Sequence, residues 1–256
     1  MNSPFGQQKL IHDTSLPVPD SAVARGALNR DSSRRRFFRN TITGPILAVG
    51  SALAVKFAFP SLVLAQNPAS PEAALAELTA GNQRFTAGRL TAHEHDLATL
   101  KQHTVDKQEP FATVLACADS RVPVELIFDQ SIGHIFVIRI AGNFVTPEVI
   151  ASIEYGAAVL GTKVILVMGH GGCGAVKATI EAKGVPGQIS ALYPHIQPAV
   201  DQAGPNLEAA IRANAQIQAA LLRKASTVIS GQLKENKLKV IASYYDIASG
   251  SVTLLE

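Results

Sequence analysis

Only two cysteines occur in the 256 residues, Cys117 and Cys173, and there is no tryptophan. Two thiols cannot build the disulfide framework that staples small secreted domains, so they serve chemistry or form a single bridge. Charge of one sign is also missing from most of the chain. The formal net charge is +3, but the first 65 residues hold eight Lys and Arg against three Asp and Glu; the remainder holds fifteen against seventeen, a net of −2. A nucleic-acid reading thereby loses its main support, and no nucleic-acid partner is expected. No internal repeat or low-complexity tract is present. The glycines between 169 and 174 lack both a Gly-x-Gly-x-x-Gly register and a following Lys-Ser/Thr, which argues against a phosphate loop. What the chain does have is 47% hydrophobic composition, ample for one α/β domain with extensions.

The front of the chain has the pattern of an address. Ser33-Arg34-Arg35-Arg36-Phe37-Phe38-Arg39 precedes a weakly apolar stretch from Ile46 to Leu64, and Val63-Leu64-Ala65 offers small or tolerated residues at a cleavage position. This predicts a twin-arginine signal peptide over residues 1–65, with the translocase as a transient partner. Export would end in a periplasm, a thylakoid lumen or outside the cell. A membrane anchor and a basic cytosolic tail are the alternatives; Lys56 near mid-span opposes the anchor, because a charge at the bilayer centre costs roughly 2.5 to 3.5 kcal/mol. The twin-arginine route carries folded proteins, so a metal could be loaded before export. Residues 66–256 are then the folded domain.

Within that domain the pattern predicts an α/β fold: a mainly parallel central sheet flanked by helices, with an N-terminal helical arm. Pro71 opens the arm with Glu72 in its first turn, and Gly81-Asn82 is expected to end or bend it. Residues 90–109 are polar and carry His93, His95 and His103, either a second metal site or, more simply, solvated surface histidines. Continuous apolar runs at 111–116, 135–140 and 163–168 have the character of parallel strands buried on both faces. Helices are expected over 147–160 and from near Cys173 to Lys183, giving right-handed crossovers. A Pro-rich segment (Pro186, Pro194, Pro198, Pro205), to which no helix is assigned, leads to Asn206, the cap of an Ala-rich helix ending near Ser226. Two last strands, 240–244 and 252–255, are joined around Ser249-Gly250.

Cys117, Asp119 and Arg121 fall just beyond the first apolar run, and His170 and Cys173 just beyond the third. Open α/β sheets gather ligands at the carboxyl ends of their strands, so two distant segments are expected at one edge. Two thiolates and an imidazole suit zinc, and His-x-x-Cys spacing lets both ligands reach one ion across a turn. Three protein ligands leave a fourth position open, the mark of a catalytic site. A Cys117 to Cys173 disulfide is the alternative in an exported protein. His134 and His195 could relay protons, and nothing in the sequence selects one.

At Cys117-Ala118-Asp119-Ser120-Arg121 and His170-Gly171-Gly172-Cys173-Gly174 the chain resembles the β-class carbonic anhydrases. The likeness runs from about Pro71 to the C-terminus and includes Gly81-Asn82-Gln83-Arg84-Phe85, Gln108-Glu109-Pro110, Arg139-Ile140-Ala141-Gly142-Asn143 and Ser152-Ile153-Glu154-Tyr155. The resemblance implies one zinc ion per chain held by Cys117, His170 and Cys173, reversible hydration of CO2 to bicarbonate, and a homodimer or dimer-based oligomer with its active site at the interface. In the plant-like branch it implies Gln108 and the backbone N–H of Gly174 on substrate, with Phe136 and Tyr155 supplied by the neighbouring subunit. Asp119 would accept a hydrogen bond at the metal's open position, and Arg121 would hold that carboxylate in place. A second branch closes its zinc with the aspartate under a bicarbonate switch that uses a tryptophan three residues before the first cysteine. This chain has Val114 there, so an open site is expected. The rivals are a carbon disulfide or carbonyl sulfide hydrolase on the same fold, and a non-catalytic zinc-binding protein that would need neither Asp119, Arg121 nor Gln108.

Overall fold

The computed structural model describes residues 67–92 and 104–256; the leader segment and His93, His95 and His103 lie outside the described residues. Helix α1 (Pro71–Thr86) begins where Ser70 accepts a hydrogen bond from Ala73 N and Pro71 occupies a position that needs no N–H. It runs straight through Gly81-Asn82, contrary to the expected break. Gly81 lies against the backbone of Phe128, where a Cβ would come within 1.8 Å of the carbonyl oxygen. Asn82 is buried, donates to Ile127 O and Gly250 O, and accepts from Val252 N. The pair is a docking contact, not a helix terminator.

The sheet follows from strands too apolar to face water. Strands β1 (Ala112–Ala116) and β3 (Val164–His170) are buried at every position, and β2 (Ile135–Arg139) and β4 (Lys239–Tyr245) flank them in parallel. With β5 (Val252–Leu255) antiparallel to β4, the order is β2-β1-β3-β4-β5. Alternation divides the side chains. Val114, Leu166 and Met168 pack under α1 and the short helix α2 (Val124–Ile127), whereas Leu115, Ile165 and Val167 face the other layer. Each such fully buried aliphatic side chain contributes about 1.5 to 3 kcal/mol relative to exposure.

That other layer holds α3 (Pro147–Glu154), which passes into a π turn over Tyr155–Val159, and α4 (Gly174–Glu181). The long helix α6 (Leu207–Ala225) is capped by Asn206 through Ala209 N, as its sequence predicts, and α7 (Thr227–Lys234) follows at once with Ser226 as its cap. The Pro-rich segment departs from expectation by forming α5 (Tyr193–Ala203). Pro194 sits in its first turn and Pro198 on its exposed face, so Ile196 and Ala199 still bury a stripe. A third apolar cluster, including Phe144, Val176, Ile196 and Ile211, closes under the C-terminal ends of β1 and β3 together with Cys117 and Cys173. Among the described residues no helix is long and apolar enough to cross a membrane.

Candidate metal centre

Because β1 and β3 are neighbours, their C-terminal ends deliver Cys117 and His170 to one edge. His170 is the last residue of β3, paired with Tyr245, and so lies inside the strand instead of beyond it. The Gly171-Gly172 turn, with Gly172 at φ +66, then brings Cys173 back as the N-cap of α4. The two sulfurs stand 4.0 Å apart as free thiols with no disulfide between them. Both sulfurs and a ring nitrogen of His170 lie within 4.8 Å of one another, and all three residues are buried.

The imidazole is set up as a ligand. His170 Nδ1 lies 3.0 Å from Gly171 O and donates to it, leaving Nε2 as a bare lone pair. Nε2 is buried and has no hydrogen-bond partner. A buried polar atom in that state is costly, and an ion shared with the two sulfurs would satisfy it. The residues present therefore fit zinc, with a fourth position left over. The hydrogen bond with Cys173, helped by His170 and Gly142 N, pushes the Cys117 thiol down, and the same bond plus burial pushes Cys173 up.

Asp119 stands beside this cluster, its Oδ2 3.9 Å from His170 Nε2. Arg121 grips it three ways: backbone N and Nε each donate to Oδ1 at 2.9 Å, and Nη2 donates to Oδ2 at 2.8 Å. These bonds hold the carboxyl far below the usual carboxylate range. Three contacts on this loop were not assigned from sequence. Arg139 donates to the carbonyls of Cys117 and Asp119, and Gly142 N donates to Cys117 Sγ at 3.3 Å. The Arg139-Ile140-Ala141-Gly142-Asn143 motif carried that signal without revealing the roles.

The other predicted residues divide. Gly174 is the first residue of α4, exposed and next to open space, beside the cluster. Gln108 is exposed before the N-terminal end of β1, a strand whose five residues span about 16 Å away from Cys117. Phe136 pairs with Thr113, four residues before Cys117, or about 13 Å along the strand. Its ring meets that of Tyr155 at 6.1 Å, and Tyr155 is 47% exposed. Within one chain these three are not brought to the metal cluster. His195 stacks on Phe144, ring centroids 4.3 Å apart.

A mainly parallel sheet with two thiols and an imidazole at its carboxyl edge, beside a clamped carboxylate, defines a zinc enzyme of the α/β class. Comparison with known proteins narrows this. Residues 112–252, more than half of the chain, match the family model described as carbonic anhydrase. A carbonic anhydrase of Mycolicibacterium smegmatis is 33% identical over 196 residues, covering 72% of this chain and 93% of that protein. Carbonic anhydrase 2 of Mycobacterium tuberculosis is 43% identical over 113 residues, which is 44% of this chain and only 54% of that relative's length. Among solved structures, the β-carbonic anhydrase CcaA superposes with TM-score 0.56 at 26% identity, covering 71% of this chain and 87% of that one. The chain belongs to the β-class carbonic anhydrase family.

Proposed function

We propose that the protein catalyses the zinc-dependent, reversible hydration of CO2 to bicarbonate and a proton. The observation that carries this is the buried Cys117, His170 and Cys173 cluster, with its unpartnered Nε2, next to an aspartate held by arginine. Zinc held there supplies the Lewis acidity that makes water nucleophilic near neutral pH, as in the three-histidine carbonic anhydrases. Asp119, kept ionised by Arg121, accepts a hydrogen bond from the attacking water and so leaves a lone pair of that water turned toward CO2. Gly174 opens α4 beside the cluster, with open space where a side chain would stand, and its N–H would donate to the developing bicarbonate oxygens. The open-site, plant-like reading is supported by the threefold Arg121 grip on Asp119 and by Val114 in place of a tryptophan.

Gln108, Phe136 and Tyr155 would serve the site of a second copy, in a homodimer or a dimer-based oligomer. Their distance from their own metal cluster and the exposure of Tyr155 and Val159 beside edge strand β2 support this. Export through the twin-arginine route is the reading of residues 1–65, and retention of an Arg34→Lys, Arg35→Lys precursor in the cytoplasm would test it. The functional test is stopped-flow CO2 hydration on the zinc-loaded protein. Rapid hydration is expected; one bound zinc per chain without acceleration, or turnover of carbon disulfide or carbonyl sulfide in its place, would overturn the reading.

A further inference from the structure

Helix α6 turns a face of small and aliphatic residues to the fold, with Ala210, Ile211, Ala215, Ala219 and Leu222 all buried. Two amides interrupt that face. Asn214 is 1% exposed and Gln218 3%, and their i, i+4 spacing sets them side by side. Buried amides persist where they have partners, and these have partners on the segment after β2 and on α5. Asn214 Nδ2 donates to Gly142 O at 2.8 Å. Gln218 Oε1 accepts from Val145 N at 2.9 Å, while its Nε2 donates to His195 O at 3.1 Å and to Asn214 Oδ1 at 3.3 Å.

Gly142 is the junction. Its own N–H donates to Cys117 Sγ at 3.3 Å, its φ is +86, and a Cβ there would lie 2.6 Å from Ile196 Cδ1. The backbone can make this turn only without a side chain. An unbroken series of hydrogen bonds thus leads from the middle of α6, through one glycine, to the sulfur of a metal ligand. Neither amide caps a helix or closes the sheet.

We propose that Asn214 is a positioning residue for the zinc site: by holding Gly142 it keeps a hydrogen bond on the Cys117 sulfur, with Gln218 as its brace. The inference rests on the zinc site described above. An N–H aimed at a thiolate draws electron density from the sulfur and fixes its direction, so the ligand is both oriented and made less donating. Asn214 itself touches neither substrate nor reacting atoms.

Asn214→Leu replaces the amide by an apolar side chain of similar size. Chelator competition should show zinc affinity weakened roughly 10- to 100-fold, the range found for partners behind metal ligands. The thiolate-to-metal charge-transfer band of the cobalt-loaded variant should shift as well. Gln216→Ala is the control, because Gln216 lies on the same helix but donates to Glu256 O at the chain's end. A lowered Tm with zinc affinity and the cobalt band unchanged would mean a merely structural role and would overturn the proposal. Should Asn214→Leu not fold, the wild-type protein loaded with a spin-active cadmium isotope decides. Scalar coupling between the metal and the Gly142 amide proton is expected across the N–H···S bond, and its absence overturns the proposal. Wild-type protein that takes up no metal overturns the zinc site and this inference together; wild-type protein that takes up zinc, with Asn214→Leu identical to it, removes the inference alone.

Discussion

At the carboxyl ends of β1 and β3 the ligand residues are buried and positioned from within one chain, whereas along edge strand β2 the pair Phe136 and Tyr155 stands partly open, with Tyr155 47% and Val159 66% exposed. The first region has its supports in place: Gly171 O orients His170, Gly142 N reaches Cys117, Arg121 grips Asp119. The second has apolar surface and no cover among the described residues. Binding a metal and enclosing a small apolar substrate would then be separable tasks, the ligands for the former all lying in one chain and the latter proposed for an interface between copies.

Breaking the metal half should have the largest effect. Cys173→Ala leaves two ligands for a site that needs three, so metal analysis should find the stoichiometric zinc gone and stopped-flow assays should find hydration lost with it. The fold should also weaken, since metal binding free energy is partly folding free energy. Full zinc retention by this variant would reject the ligand set. Arg121→Ala comes next. It frees Asp119 without touching a ligand, and hydration should fall by roughly 10- to 100-fold while the oligomer, measured by sedimentation, is unchanged.

The interface half should respond in the opposite way. Tyr155→Ala removes a half-exposed ring from the proposed interface, and truncating an interface aromatic commonly costs more than about 1 kcal/mol, so self-association should weaken by about tenfold with zinc content intact. Zinc loss in that variant would erase the distinction between the two regions.

The smallest effect on the site comes from a contact in neither region and sharpens both. Asp129 is buried and accepts from Arg84 Nε, Thr91 N, Thr91 Oγ1 and Ala92 N, tying the segment after α1 to α2. Burial alone would raise its carboxyl, but these bonds together outweigh it and hold the group below its ordinary value. A carboxyl depressed in the fold adds stability that is fully present above its unfolded pKa of about 3.9 and is lost as pH falls through the lower folded value. Asp129→Asn should therefore cost about 2 kcal/mol at pH 7 by urea unfolding. The gap to wild type should close as acid protonates the native carboxyl, with zinc uptake at pH 7 unaltered. A gap that stays constant into acid would show that the charge is not what stabilises this contact.

How much of this was legible in the sequence depended on how many constraints met at one residue. The central strands were legible because parallel strands buried on both faces must be continuously apolar, as Val114-Leu115-Ala116 and Val164 to Met168 are. The metal ligands were legible because few pairs of segments can bring two thiols and an imidazole to one strand edge. Helix α5 was hidden because four prolines between 186 and 205 mask the spacing of Ile196 and Ala199, and only the fold shows Pro198 pointing outward. Gly81 suggested a stop, when its missing side chain admits the Phe128 carbonyl from 47 residues further on. Asn214 and Gln218 were invisible for the same reason: their partners Gly142, Val145 and His195 are distant in sequence, and two amides in an Ala-rich helix look like solvated positions.

A crystal structure of the zinc-loaded protein at neutral pH tests the central claim most directly. The account predicts one zinc per chain bound by Cys117 Sγ, Cys173 Sγ and His170 Nε2, the fourth position free of protein atoms, and Asp119 still paired with Arg121. A Cys117 to Cys173 disulfide, or an Asp119 oxygen within about 2.2 Å of the metal, the distance of a carboxylate ligand, would contradict it.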